Sequence, residues 1–377
     1  MTTTVKDAEL VERRLQVHWS DARQPTILPL FWLRENCPCP ACLHPETRQR
    51  LVDTLRIPRD ISARDIRVHA DGRALQVTWE QDAHVSDFST EFLGALRSDP
   101  EHLPIEIETW DAQSFATHTP AVPYEGYLGD DAVLGQFLAQ VARHGFCFVE
   151  GAPATPEATR AVAQRISYIR ETIFGGYWDF TANMEHADTA YTSMAIGPHT
   201  DGTYSLDAPG YQMFHCLAAE CTGGENVLID GFRIAQAMQR EFPDQYQTLT
   251  QVAIPGQYVD LKRGIHLMAR RPLFRLDDSG RLAQVTYNNY DRAPFVLDEP
   301  HEQLFYDGLA TFARLCADPR WHYRRRLLPG SVLLFDNWRV LHARDAYTGY
   351  RRLAGAYLNR EDVQSRLRVL HRPRGTH

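Results

Sequence analysis

The chain has 377 residues, 44% of them hydrophobic and 23% charged, with a formal net charge of -8; at roughly 100–200 residues per domain it predicts two domains, or one large domain with an appendage. The negative balance excludes a nucleic-acid groove, which needs a basic face, and the mildly basic stretch Arg366–Arg374 is too short to change that. No apolar run approaches the ~20 residues of a membrane helix, and the polar segment Met1–Leu10 lacks the apolar core of a secretory signal, so the expectation is a cytoplasmic protein with neither membrane nor nucleic acid as partner.

In chain order, residues 5 to 115 read as short strands, for example Leu15–His18, Ile27–Trp32, Ile66–His69 and Leu75–Trp79. Asp71-Gly72 forms a hairpin turn between the last two. The stretch Thr117–Gly129, rich in Pro, Tyr and Gly, reads as a linker. Ala132–Arg143 is an amphipathic helix, with Val133, Leu134, Phe137, Leu138 and Val141 at helical spacing. Phe146–Val149 is a buried strand, and Thr155–Thr172 opens as a helix with Thr-Pro-Glu. Beyond residue 190 short strands dominate again, interrupted by helices near Ile234–Arg240 and Glu302–Leu315. Many short strands with few helices predict a barrel or jelly roll. Gly175-Gly176 and Gly223-Gly224 are isolated pairs and make no phosphate loop.

A non-haem iron oxygenase holds its metal with two His and one carboxylate on one face, leaving the other positions for cosubstrate and oxygen. The local signal, His-x-Asp, is short, and it occurs three times: His69-Ala70-Asp71, His186-Ala187-Asp188 and His199-Thr200-Asp201. Context favours the third. Gly197-Pro198 and Gly202 bracket it, so the backbone can bend to aim both side chains inward. Downstream, the strand Ser331–Asp336 leads into Asn337-Trp338-Arg339-Val340-Leu341-His342, and Arg351 follows nine residues later in the strand Arg351–Leu358. Strand alternation puts Arg351, Leu353, Gly355 and Tyr357 on one face. An arginine there can take a carboxylate bidentately, as the distal end of 2-oxoglutarate requires.

Cys37, Cys39 and Cys42 place three thiols within six residues. In a cytosolic chain with an odd cysteine count, such a cluster suits a closed structural zinc site better than disulfides. Spacing leaves the fourth ligand open between His44, His69 and His84. Cys147, Cys216, Cys221 and Cys316 read as core residues.

From about Phe31 to Leu370 the chain resembles the family of γ-butyrobetaine hydroxylase and trimethyllysine dioxygenase. The matching stretches include Arg165-Ile166-Ser167, Ile169-Arg170-Glu171-Thr172, Asp188–Thr192, Phe214-His215-Cys216-Leu217, Asp230-Gly231-Phe232, Tyr287–Ala293 and Phe335–His342, besides the His199 motif. The resemblance implies a mainly β fold with flanking helices. Its parts would be a small N-terminal zinc-binding β domain (1–115), a linker (116–130) and a double-stranded β-helix, or jelly-roll, oxygenase domain (131–377). It implies Fe(II) on His199, Asp201 and His342, and 2-oxoglutarate on Thr222 and Arg351. It also implies structural Zn(II) on Cys37, Cys39, Cys42 and His84, with ascorbate as a candidate reductant.

The implied reaction is hydroxylation of a C–H bond in a small trimethylammonium substrate, consuming O2 and releasing succinate and CO2. A homodimer is expected. A trimethylammonium group has no N–H to donate, so recognition falls to cation–π contact and apolar shape. The resemblance supplies Phe174, Trp178, Tyr191 and Tyr357 as walls. Asp188 would add charge complementarity, and Tyr204, Asn289 and Arg292 would take the substrate's anionic end. Thr348-Gly349-Tyr350-Arg351 is similar to the trimethyllysine branch, while Gly202 departs from the pattern and would reshape the pocket. A bacterial type acting on (2-trimethylammonio)ethylphosphonate is also similar. Two rival readings are an oxygenase acting on methylated lysine in proteins and a non-catalytic zinc-dependent dimerisation or binding protein.

Overall fold

The computed structural model describes residues 3–97, 105–180, 192–299 and 301–371. The chain divides into two compact units, one within residues 1–104 and the other within 105–373.

The first unit pairs two three-stranded antiparallel sheets. One contains β1 (Val5–Val11), β2 (Arg14–Trp19) and β3 (Thr26–Pro29); the other contains β4 (Ala63–Val68), β5 (Ala74–Trp79) and β6 (Val85–Ser89). Alternating positions along β2 and β5 bury Leu15, Val17 and Trp19 with Leu75, Val77 and Trp79 in one apolar core. The Asp71-Gly72 turn is present, Gly72 having φ 67°. The run Ile27–Trp32 differs from its reading as a single strand. Pro29, with φ -64°, ends the strand and starts α1 (Leu30–Glu35), which buries Leu30 and Leu33. A proline lacks the N–H a strand would need and is preset for a helix start. Helix α2 (Thr90–Ala95) follows β6, capped by Ser89.

In the second unit, residues 105–115 belong with the catalytic fold rather than with the N-terminal strands. Arg339 donates to the Glu108 carbonyl at 2.6 Å and pairs with Asp230, whose carboxylate also accepts from the Trp110 N–H. The expected linker is likewise ordered structure. It forms β7 (Ala121–Pro123) and α3 (Tyr124–Gly129), the latter anchored by the Tyr127 hydroxyl on the Val162 carbonyl. Its Pro/Tyr/Gly composition reflects a strand-to-helix junction, not a free connection.

Helix α4 (Asp131–His144), β8 (Phe146–Glu150) and α5 (Pro156–Ile166) come next, α5 stopping short of Thr172 because Ser167 is extended. Then come β9 (Trp178–Phe180), β10 (Ile196–His199), β11 (Tyr211–Gly223), β12 (Asn226–Asp230), α6 (Gly231–Glu241) and α7 (Pro243–Gln251). Two hairpins follow, β13 (Ile254–Asp260) with β14 (Ile265–Arg271) and β15 (Phe274–Leu276) with β16 (Leu282–Val285). The chain ends in α8 (His301–Ala317), β17 (His322–Arg325), β18 (Val332–Asp336), β19 (Val340–Arg344), β20 (Tyr347–Leu358) and α9 (Arg360–His371).

These strands build a six-stranded sheet, β7-β8-β18-β11-β20-β9, and a four-stranded sheet, β10-β19-β12-β17. The fold is mainly β with flanking helices, as expected. Helices α6, α7 and α8 bury Phe232, Leu249 and Phe312 in a core shared with Ile229 and Leu341 of the four-stranded sheet. A cavity of about 270 Å³ opens between the two sheets. No helix among the described residues is long and apolar enough to cross a membrane.

Candidate active site and metal centres

Register brings the two histidines together. β10 runs antiparallel to β19 with His199 directly opposite His342, and their rings stand 4.1 Å apart. Asp201 lies just past the end of β10, where the chain turns. Thr200 exchanges bonds with Tyr287, and Gly202 has φ 70°, a conformation that costs other residues energy. A Cβ on Gly202 would also stand 2.5 Å from Pro209 Cδ, so this departure from the family pattern is a backbone requirement. Asn337, almost fully buried, clamps both faces of the Asp201 main chain: its side chain accepts from Asp201 N at 2.8 Å and donates to Asp201 O at 3.0 Å.

His199 Nε2 lies 3.4 Å from Asp201 Oδ1, and His342 Nε2 lies 3.9 Å from Oδ2. The first spacing is only slightly wider than that of adjacent corners of one metal's coordination shell. Burial favours the neutral form of His342 and, with His199 beside it, pushes its pKa down to about 3. Burial pushes the Asp201 carboxyl up, but the two histidines outweigh it and hold the group ionised. For His199 burial is again opposed by Asp201, which raises it above the ordinary value. Two nitrogen donors and one carboxylate, clustered within 4.8 Å, are the donor set of a facial iron triad, so the residues fit an Fe(II) ion.

Arg351, buried on β20, reaches the same cavity and donates to Asn226 Oδ1 of β12 at 3.3 Å. Asn226 Nδ2 is buried with no partner among the described residues. A donor left over beside a guanidinium is what a carboxylate would take, so this end of the cavity fits 2-oxoglutarate.

Thr222 is different. It is exposed at the far end of β11 and does not line the cavity. Gln212 opposite Tyr357 and Phe214 opposite Gly355 share the cavity face, but a register shift between Cys216 and Ala218 reverses the alternation. Beyond it Ala219 stands opposite Arg351, so the cavity side passes to odd positions and Thr222 turns away. Nothing local in the sequence marks that shift, and Asn226 reaches the cavity from a different strand, β12.

The aromatic walls are partly those expected. Phe174 and Tyr357 line the cavity, and Tyr204, expected at the substrate's anionic end, lines it beside them as part of the aromatic wall. Trp178 does not. It sits behind the wall, 3% exposed, packed on Phe214 and Tyr357 over Gly355, where a Cβ would meet Trp178 Cη2 at 2.1 Å. Tyr258 of β13 takes a place in the wall instead, its ring 5.3 Å from Tyr204 and 6.3 Å from Phe174, and Tyr290 closes the side next to His199. Asn289 and Arg292 line a small neighbouring cavity, whereas Asn288 and Asp291 face the main one. Asp291 accepts from Asn288 Nδ2 at 2.8 Å and adds negative charge to the lining. Asp188 and Tyr191 lie outside the described residues. Tyr258 carries no local motif, and Asp291 lies within the family-like stretch Tyr287–Ala293 without anything that marks it as lining the cavity; the folding of the β13–β14 hairpin and of the segment after β16 brings both in.

In the first unit Cys37, Cys39, Cys42 and His84 converge, with His84 Nε2 3.2, 3.5 and 3.6 Å from the three sulfurs. Tetrahedral ligands at 2.0–2.3 Å from a zinc stand about 3.5 Å apart, so the set fits zinc. The β5–β6 turn presents His84, its N–H held by Asp82. Arg34 donates to Cys42 Sγ at 3.4 Å and pairs with Asp82. The other two histidines are used elsewhere: His44 Nδ1 accepts local amides and His69 pairs with Asp87.

Comparison with known proteins agrees with this geometry. Residues 112–357 match the model described as taurine catabolism dioxygenase TauD, TfdA family, and residues 8–94 match gamma-butyrobetaine hydroxylase-like, N-terminal. The chain is 35% identical to a trimethyllysine dioxygenase of Meyerozyma guilliermondii, covering 90% of each chain. It is 35% identical to the mitochondrial trimethyllysine dioxygenase of Gallus gallus, covering 90% of this chain and 82% of that one. To a gamma-butyrobetaine dioxygenase of Pseudomonas sp. strain AK-1 it is 33% identical, over 95% and 94% of the two chains. With these matches spanning nearly its full length, and the iron triad assembled as such an enzyme requires, the chain belongs to the TauD, TfdA dioxygenase family.

Proposed function

We propose that the protein is an Fe(II)- and 2-oxoglutarate-dependent dioxygenase that hydroxylates a C–H bond of a small trimethylammonium compound, trimethyllysine first among the candidates. The observation that carries this is one cavity holding the His199–Asp201–His342 triad, Arg351 with Asn226, and a wall of Phe174, Tyr204, Tyr258 and Tyr357 beside Asp291.

Bound iron supplies oxygen activation and the oxidative decarboxylation of 2-oxoglutarate to succinate and CO2. The chain does the rest. His199, Asp201 and His342 would hold the metal. Arg351 and the free amide of Asn226 bind the distal carboxylate of 2-oxoglutarate and so orient its other end toward the triad. The aromatic faces and Asp291 hold the cationic head, which positions the target carbon and excludes water. A second cavity of about 180 Å³ shares Phe174, Gly202, Tyr204 and Tyr357 with the first and leads away past Thr172 and Ser205. That room supports a substrate with a longer polar tail, as in trimethyllysine. In the first unit, Cys37, Cys39, Cys42 and His84 hold a structural zinc.

The test is succinate formation by the Fe(II)-loaded protein with 2-oxoglutarate and, in turn, trimethyllysine, γ-butyrobetaine and (2-trimethylammonio)ethylphosphonate. Succinate matched by hydroxylated product, greatest with trimethyllysine and lost in His342→Ala, is the expected result. No substrate-stimulated succinate with any of the three overturns the proposal.

A further inference from the structure

Asp201 is held at three points, and the third is the informative one. Asn337 fixes its main chain, and the histidines face its carboxylate. The Tyr357 hydroxyl donates to Oδ2 at 2.7 Å. That hydroxyl in turn accepts from Gln212 Nε2 at 3.3 Å, across the β11–β20 pair in which the two residues stand opposite each other. All three residues line the cavity, and Gln212 and Tyr357 are 2% and 5% exposed. The tyrosine ring cannot easily swing away, because Trp178 packs on it at 6.0 Å and its carbonyl accepts from Arg170 N at 2.8 Å.

A tyrosine hydroxyl has one proton. With Gln212 donating into its lone pair, that proton is directed to Asp201. Oδ2, 3.9 Å from His342 Nε2, is thereby engaged by the tyrosine, while Oδ1, 3.4 Å from His199 Nε2, is left to the metal. A carboxylate that bound iron through both oxygens would occupy a fourth position. The reaction needs three left open, two for 2-oxoglutarate and one for oxygen.

Resting on the iron-site reading above, we propose that Tyr357, set by Gln212, is a positioning residue that confines Asp201 to one-oxygen coordination, and that the same ring, as part of the substrate wall, reports cation binding to the metal. A cation against the ring face draws electron density from the phenol and makes its hydroxyl a stronger donor to Oδ2. Filling of the wall is thus sensed at the iron carboxylate without a moving segment.

The experiment uses full-length, zinc-replete protein freed of iron and titrated without oxygen with Fe(II) and 2-oxoglutarate, following the visible charge-transfer band of the complex. Tyr357→Phe keeps the ring and removes the hydroxyl. It is expected to weaken Fe(II) binding by about 10-fold or more, as loss of a group supporting a metal ligand does, and to abolish the band shift that trimethyllysine causes in the wild type. Gln212→Met, which leaves the hydroxyl in place, gives a smaller change in the same direction and carries the test if Tyr357→Phe fails to fold. Unchanged Fe(II) affinity and an unchanged substrate-induced shift in a folded Tyr357→Phe overturn the proposal and leave the iron site standing. A wild-type protein that shows no band at all overturns the iron-site reading itself, and this proposal with it.

Discussion

The Arg351 guanidinium and the Asn226 amide meet at 3.3 Å across two different sheets, one on β20 and the other on β12. The two residues are far apart in sequence, and no ion pair of Arg351 with a carboxylate occurs among the described residues. Asn226→Ala removes both the brace on Arg351 and a donor to 2-oxoglutarate. A hydrogen bond to a charged group is worth about 1.5–3 kcal/mol, so the KM for 2-oxoglutarate should rise by roughly 10- to 100-fold. Thr222→Ala should leave it unchanged. Steady-state kinetics of both variants decide this, and the reverse pattern would restore Thr222 to the cosubstrate site.

Tyr258 and Trp178 should behave differently although both are aromatic. Tyr258 is part of the cavity wall; Trp178 backs it. A cation over a ring gains about 0.5–2 kcal/mol. Tyr258→Ala should therefore raise KM more for a trimethylammonium substrate than for its neutral tert-butyl isostere. Trp178→Ala should affect both alike and lower stability by about 3–5 kcal/mol, the cost of emptying a buried aromatic site. Paired kinetics on the two substrates, with urea melts, check the contrast. A charge-specific loss in Trp178→Ala alone would put that indole in contact with the cation.

Removing zinc should unfold the first unit before it stops the chemistry. A closed structural zinc site contributes about 10–16 kcal/mol to folding in small zinc domains. Cys39→Ser, or a strong chelator, should open residues 3–97 to hydrogen exchange and proteolysis. Exchange within the second unit should stay slow at first. Metal analysis of the purified wild type should find one zinc per chain, and its absence would contradict the assignment.

His215 gives the fold an acid-sensitive point away from the iron. It is fully buried, its Nδ1 2.7 Å from the Thr159 hydroxyl and its Nε2 without a partner among the described residues, and burial lowers its pKa from 6.5 to about 4. The unfolded chain binds this proton more readily than the folded one, so stability falls as pH drops through that interval and the loss is complete below it. Full depression would amount to about 3 kcal/mol. His215→Gln should flatten the unfolding free energy between pH 6.5 and about 4 relative to the wild type. Parallel slopes for the two proteins would show that His215 does not titrate on unfolding.

The sequence by itself determined the elements whose signals are local. The Phe146–Glu150 strand, the Asp131–His144 helix with its apolar stripe, and the Asp71-Gly72 turn stand close to where periodicity and turn chemistry put them. It also determined the donor sets, because His-x-Asp and the three clustered cysteines are chemistry written in adjacent residues. Tertiary structure decided everything that depends on strand parity and on distant segments meeting. His84 completes the cysteine set while His44 and His69 do not, because the β5–β6 turn folds back over Cys37. Thr222 faces away from the cavity because one register shift in β11 reverses every side chain of that strand beyond it, while Asn226 reaches Arg351 from β12. Trp178, paired opposite Gly355, stays on the cavity face of the sheet but leaves the lining to Tyr258, because the missing Cβ at 355 lets the indole close onto the strand, packed against Phe214 and Tyr357. A face of a strand is a two-fold alternation, and a single extra residue inverts it. No local pattern in the chain announces that inversion, and only the paired strand across from it makes it visible.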